Sequence, residues 1–204
     1  VLAGTVTGNG THGAVGDPDY VQNVLLAFAP IYIGGSASFA VERRTLDVDT
    51  DGNGTADLLK ATVQTVALSV TDATVAVSGV AKVKVSGTLG LASVTAAGDL
   101  SGPRYSAMKM GDVSVEVVGG VAGLSLTGTF TVSRLDTNAV AATAPAGTQR
   151  LDWARAFDVD GDGAKDLLNP GALLQTPAAL TIDFASSLEL LLAVVIGRRH
   201  LHVG

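Results

Sequence analysis

The sequence predicts an all-β chain, and three observations carry that reading. Apolar residues make up 47% of the 204 residues but aromatics only 4%, so the apolar content is chiefly Val, Ala and Leu interleaved with Thr and Ser. That mixture suits strands and does not suit amphipathic helices. The 25 glycines punctuate the apolar runs as turns do. Two long runs alternate strictly: Val83, Val85, Leu89 and Leu91 against Lys82, Lys84, Ser86 and Thr88, and Leu124, Leu126, Phe130 and Val132 against Ser125, Thr127, Thr129 and Thr131. Period-two patterning of this length predicts a sheet with one buried and one wet face.

The elements follow from internal repetition. Asp49–Leu59 reads DTDGNGTADLL and Asp158–Leu168 reads DVDGDGAKDLL, an ungapped match 109 residues apart. The match continues from Val63-Gln64-Thr65 to Leu174-Gln175-Thr176, and from Ala67-Leu68-Ser69-Val70 to Ala179-Leu180-Thr181-Ile182. Residues 1–60 then form the end of one repeat, 61–169 a full repeat of about 110 residues, and 170–204 the truncated start of a third. Within the unit, three blocks (20–47, 64–94 and 105–136) each read as two short strands and one long one, with turns at Gly34-Gly35, Ser78-Gly79 and Gly119-Gly120. Gly87 and Gly128 fall at the same place in two long strands, which predicts a shared bend. The stretch 138–149 (NAVAATAPAGTQ) reads as a linker. The following RLDWARAF is expected to form a short helix setting Trp153 and Phe157 on the core. The apolar run 188–196 loses alternation where the repeat calls for a strand, and with the tail behind it reads as an artificial or shifted chain end. The predicted architecture is an elongated stack of β blocks, solenoid-like or a curled meander sheet, with two tandem β-sandwiches as the alternative.

Composition excludes several classes of function. A net charge of −6 without a basic run longer than two residues argues against nucleic-acid binding. The chain has no cysteine, so disulfides and thiolate chemistry are absent. No apolar stretch reaches the length of a membrane span. The start at Val1, without Met or a signal peptide, reads as a cut through a longer protein.

Of the 19 acidic residues, eight lie in two clusters around the repeated DxDx[ND]GxxD pattern. Side-chain oxygens at its positions 1, 3 and 5 lie on one side of a tight loop that the Gly at position 6 turns inward. A carbonyl at 7 and a carboxylate at 9 complete an oxygen-only shell suited to Ca²⁺ and less so to the smaller octahedron of Mg²⁺. The loops resemble the calcium loops of integrin-type β-propeller repeats and thrombospondin type-3 repeats, and more distantly dockerin and EF-hand loops. The resemblance implies two ions. One would be held by Asp49, Asp51, Asn53, Asp57 and the Thr55 carbonyl, the other by Asp158, Asp160, Asp162, Asp166 and the Ala164 carbonyl. The closing acid at position 9, where an EF-hand has Glu at 12, argues against a calmodulin-like switch. Asp47 is auxiliary at most. In style, the chain is similar to the tandem modules of large bacterial surface and secreted adhesin-like proteins.

No catalytic constellation emerges. His12, His200 and His202 lie near the chain ends without a third ligand for zinc, and the last two are expected in a frayed tail. Glu42, Glu116 and Glu189 stand singly, which does not support a glycosidase pair. The sequence therefore points to a non-enzymatic, extracellular or cell-surface module that is structural or adhesive and rigidified by calcium. Its expected partners are neighbouring repeats, with surface glycans or proteins as candidate ligands. The alternative is a carbohydrate-binding or accessory module of a secreted hydrolase.

Overall fold

The computed structural model describes residues 1–15, 20–28, 31–77, 81–121, 124–196 and 200–203. Its elements are β1 (Leu2–Thr7), β2 (Thr11–His12), β3 (Val21–Gln22), β4 (Val24–Phe28), β5 (Ile31–Val48), β6 (Leu58–Val77), β7 (Ala81–Thr95), β8 (Tyr105–Val121), β9 (Leu124–Val140), a single 3-10 turn (Pro170–Leu173), β10 (Leu190–Ile196) and β11 (His200–Val203). Nine strands form one antiparallel sheet in the order β1-β5-β6-β7-β8-β9-β10, with β4 also on β5 and β11 also on β9. The all-β expectation holds, and the arrangement is a meander. Among the described residues there is no second sandwich, and no helix is long and apolar enough to cross a membrane.

In the first block the two short strands stay separate as β4 and the start of β5, which runs on through the expected long strand. In the other two blocks the expected pair of short strands is a single long strand. Ala67–Val70 and Thr74–Val77 both belong to β6, and the AMKM and VSVEVV runs both belong to β8. What separates them is a bulge. The β5–β6 register shifts between Gly34 and Ser36, β6–β7 between Val70 and Ala73, β7–β8 between Ser86 and Thr88, and β9–β10 at Ala193/Val194. Asp72 and Asp112, both at φ 50, take the left-handed conformation that bulge geometry uses and that Asp tolerates. These irregularities line up across the sheet as one transverse crease. Gly87 lies on it because a Cβ there would sit 2.8 Å from the Val113 Cα. Gly128 pairs with Val117 without a register shift, so the expected bend is found at Gly87 alone.

Residues 141–189 return across one face of the sheet as a cover. The face beneath it is made of small side chains: Ala40, Ala67, Ala92 and Ala107 are all buried, and a Cβ on Gly90 would lie 3.1 Å from the Leu180 Cβ. The cover supplies the bulk through Leu151, Trp153, Phe157, Leu168, Ile182 and Phe184, which join Val48, Val63, Val94 and Tyr105 in the main core. This core draws on all three segments of the sequence repeat. The expected helix at RLDWARAF is a turn, yet Trp153 and Phe157 are both fully buried, with ring centroids 5.7 Å apart. Asn138 is not in a linker. It is buried on β9, receives the Trp153 Nε1–H at 3.0 Å, and donates to the carbonyls of Leu151 at 2.9 Å and Ala185 at 3.1 Å.

The alternation therefore assigns the faces the wrong way round. Leu89 and Leu91 point away from the cover, and the cover packs on Gly90, Ala92 and Val94. On that open face the register aligns Phe39, Leu68, Leu89, Met110, Leu135 and Leu192 into one row across six strands. A parallel row runs Val41, Val66, Leu91, Met108, Thr137, Leu190, and beyond the crease Ala73, Val85, Val115 and Phe130 continue the pattern. The repeat also divides: Ala67–Val70 lies in a strand, while its counterpart Ala179–Ile182 lies in the cover. The C-terminal run forms β10 and β11 on β9 and is not a frayed tail.

Removing the polar anchor or the bulk of the cover should be costly. Asn138→Leu removes the partner of a buried indole N–H and of the Leu151 carbonyl, and leaves the Ala185 carbonyl only the Leu188 amide, for an expected loss of about 2–4 kcal/mol. Trp153→Ala should lose about 3–5 kcal/mol. Urea unfolding measures both against Leu100→Ala, at a site 99% exposed, which should change stability by less than about 0.5 kcal/mol. Equal midpoints for all three would remove the anchoring role.

Candidate metal centre

Both Asp-rich segments close antiparallel connections. The first joins β5 to β6, with the Asp57 amide on the Val48 carbonyl at 2.9 Å, and the second repeats this with Asp166 on Phe157 at 2.8 Å. Inside, the backbone-amide bonds of the two loops match one for one, and the first loop adds two side-chain bonds, from the Thr50 hydroxyl to Asp57 and from the Asn53 amide group to Asp51. Asp49 accepts from the amides of Gly52 (2.7 Å) and Gly54 (2.8 Å), and Asp158 accepts from Gly161 (2.7 Å) and Gly163 (3.0 Å). Asp51 accepts from the Asn53 amide and Asp160 from the Asp162 amide, each at 3.1 Å. Asn53 accepts from the Thr55 amide and Asp162 from the Ala164 amide, each at 2.7 Å. The closing Asp57 and Asp166 accept from the amides of Thr50 and Val159, again at 2.7 Å. Gly54 (φ 91) and Gly163 (φ 87) take the positive φ that lets the loop turn back on its acids.

The result is two groups, Asp49–Asp51–Asp57 and Asp158–Asp160–Asp166, each offering three carboxylate oxygens within 4.8 Å of one another and able to hold a metal ion. Two like charges at that distance repel by about 1 kcal/mol in water and by several times more at a lower effective dielectric, and a cation would relieve this. Asn53 and Asp162 face their own loop amides, and the fourth acid, Asp162, stands outside the close carboxylate trio. Thr55 and Ala164 are placed by those same amide bonds at position 7 of each loop. Asp47 lies outside both groups and accepts from the Lys60 amide at 2.7 Å, which holds the bulge that opens β6.

That the two loops touch is visible only in the folded chain. The Asp49 amide donates to the Ala156 carbonyl at 3.1 Å, and Lys165 Nζ of the second loop lies 3.5 Å from Asp49 Oδ2 of the first. A hairpin of the sheet and a hairpin of the cover thus share a seam. Asp49 is 2% exposed, and burial works to raise its pKa, but the Gly54 and Gly52 amides and then Lys165 prevail and hold its carboxyl below the usual range. Asp57 is also lowered, by the hydroxyl and amide of Thr50. Beneath the first loop, burial raises the Tyr105 phenol, with the Thr50 hydroxyl acting the other way. The partners Thr50, Ala156 and Lys165 lie outside the repeated ligand pattern, so only the fold identifies them.

No family model matches this chain, and neither the curated proteins nor the solved structures contain a match to it.

The lowered carboxyls fix the direction of a pH response. A group whose folded pKa lies below its unfolded value contributes stability above the unfolded value, about 3.9 for Asp, and loses it as pH falls through the folded one. In a metal chelator, thermal stability should therefore hold down to about pH 5 and fall below about pH 4, and Asp49→Asn should flatten that fall. Melting curves across this range test it; identical acid profiles for the two proteins would take Asp49 out of the network.

Proposed function

We propose that this chain is a structural module of a repeated extracellular or cell-surface protein, in which two calcium ions rigidify the seam between the sheet and its cover. One observation carries the reading: the two Asp loops have the same pattern of amide hydrogen bonds to their acids and meet at the Lys165–Asp49 contact. Oxygen-only donors with several carboxylates favour Ca²⁺ over softer metals, and over Mg²⁺, which keeps more of its water. Asp49, Asp51, Asn53 and Asp57 would supply side-chain oxygens to one ion, and Asp158, Asp160, Asp162 and Asp166 to the other, with the carbonyls of Thr55 and Ala164 at position 7. An ion in each loop would lock the hairpin that carries it. Because one hairpin is part of the sheet and the other part of the cover, both layers would stiffen where they touch. A repeated surface protein exposed to extracellular calcium gains mechanical rigidity from such a seam without disulfides. The module's role is then to space or present neighbouring repeats, and its ions are structural.

Calorimetric titration with Ca²⁺ should give two ions per chain, and Asp160→Ala should give about one, because each loop has its own acids. Calcium at a hundredfold excess over its dissociation constant should stabilise the fold by about 2.7 kcal/mol per site. Amide exchange should then slow in 151–184 as well as in the loops. Identical melting curves in calcium and in chelator would remove the calcium reading.

A further inference from the structure

The open face of the sheet is the largest feature that the metal seam does not use. It holds the bulkiest residues of the alternating strands, while the covered face holds mostly small ones; Leu91 is 36% exposed and Phe130 42%. The row through Phe39, Leu68, Leu89, Met110, Leu135 and Leu192 is unbroken across six strands. The paired positions of the three rows described above hold no charged side chain, and Thr137 is their one polar residue. At the crease a shallow apolar hollow of about 160 Å³ opens between Val70, Val85, Leu89, Met110 and Val113.

We propose that this face docks a second copy of the same chain, sheet against sheet. Three arguments select that occupant. The first is size. Six strands about 4.8 Å apart, and seven residues along β9 at about 3.4 Å each, give a patch about 24 Å on a side, or roughly 600–800 Å² with side-chain margins. Two such patches bury roughly 1,200–1,600 Å², within the range of stable, specific interfaces, whereas an apolar patch of this size is above what a monomer commonly leaves in water. The second is charge. Each copy carries −6, so copies repel wherever their acids meet, and the uncharged rows are where like copies approach without that cost. The third is shape. A continuous row of large apolar side chains is compatible with a two-fold axis through it, and two twisted sheets pack about 10 Å apart by interdigitating such rows. This contact needs no metal and stands apart from the calcium proposal.

Sedimentation velocity on the full chain tests it. The wild type should sediment at twice 20.4 kDa at about 100 μM, where an interface of this size is occupied, and should do so in calcium and in chelator alike. The double substitution Leu89→Thr with Met110→Thr keeps β-compatible side chains but removes the centre of the row, and should weaken association at least about a hundredfold. Circular dichroism checks that it folds. Should it not fold, Leu91→Gln at the edge of the patch takes its place and should weaken association about tenfold. A monomeric wild type, assembly that continues beyond two copies, association unchanged in a folded variant, or binding to phosphatidylcholine vesicles in place of pairing would each overturn the proposal.

Discussion

The contact on which the rest of the structure depends is that between Trp153 and the sheet. Its side chain is fully buried and its indole N–H is bonded to Asn138. The cover is otherwise nearly free of regular structure, with a single 3-10 turn and two isolated bridges. Such a segment cannot hold its place through its own backbone ladder, so it must be fixed by side chains reaching the sheet. Asn138 does this with both ends of its amide, and Lys109 does it again, donating to the Thr181 carbonyl at 2.8 Å beside the Phe184 ring. The bulk of Trp153, Phe157 and Leu180 fits because the sheet beneath places Ala40, Ala61, Ala67, Gly90, Ala92 and Ala107 among its larger core residues. Larger residues there would overpack the interface, and smaller ones in the cover would leave cavities.

Placing the cover also places the metal loops. Each loop's internal bonds are local and would form in any antiparallel hairpin of that sequence, but their proximity is a consequence of packing. Phe157 and Leu168 of the second hairpin are buried in the same core as Val48, at the base of the first. Asp158 and Asp49 follow directly after Phe157 and Val48, so burying those neighbours brings the two acidic loops side by side. The resulting charge density is met partly by Lys165 and by amide donors, and a cation in each trio would meet the remainder.

The crease has a different physical origin. Strands of 15 to 20 residues accumulate twist, and a ladder of that length stays regular only if the twist is released. The bulges do this at a common level, using left-handed Asp72 and Asp112 and the close approach allowed by Gly87. Coherent bulging keeps the apolar rows aligned on either side of the bend, which is why the open face remains continuous.

How much of this was legible in the sequence follows from the range of the interactions involved. Strand content and the composition and internal turn of both Asp loops are set by neighbours in the chain, through side-chain alternation and through acids and glycines at fixed offsets. These were readable, and the self-match of residues 49–59 with 158–168 fixed their register. Which sheet face is covered was not readable, because Leu89–Leu91 and Gly90–Ala92 alternate equally well whichever side is buried. Only the large side chains of a segment some 60 residues further on decide it. For the same reason Asn138 read as linker, Ala179–Ile182 read as a repeat of Ala67–Val70, and the two loops stood 109 residues apart. Local chemistry shaped each loop and each strand, whereas the fit of bulky side chains to a small-residue face decided where they meet.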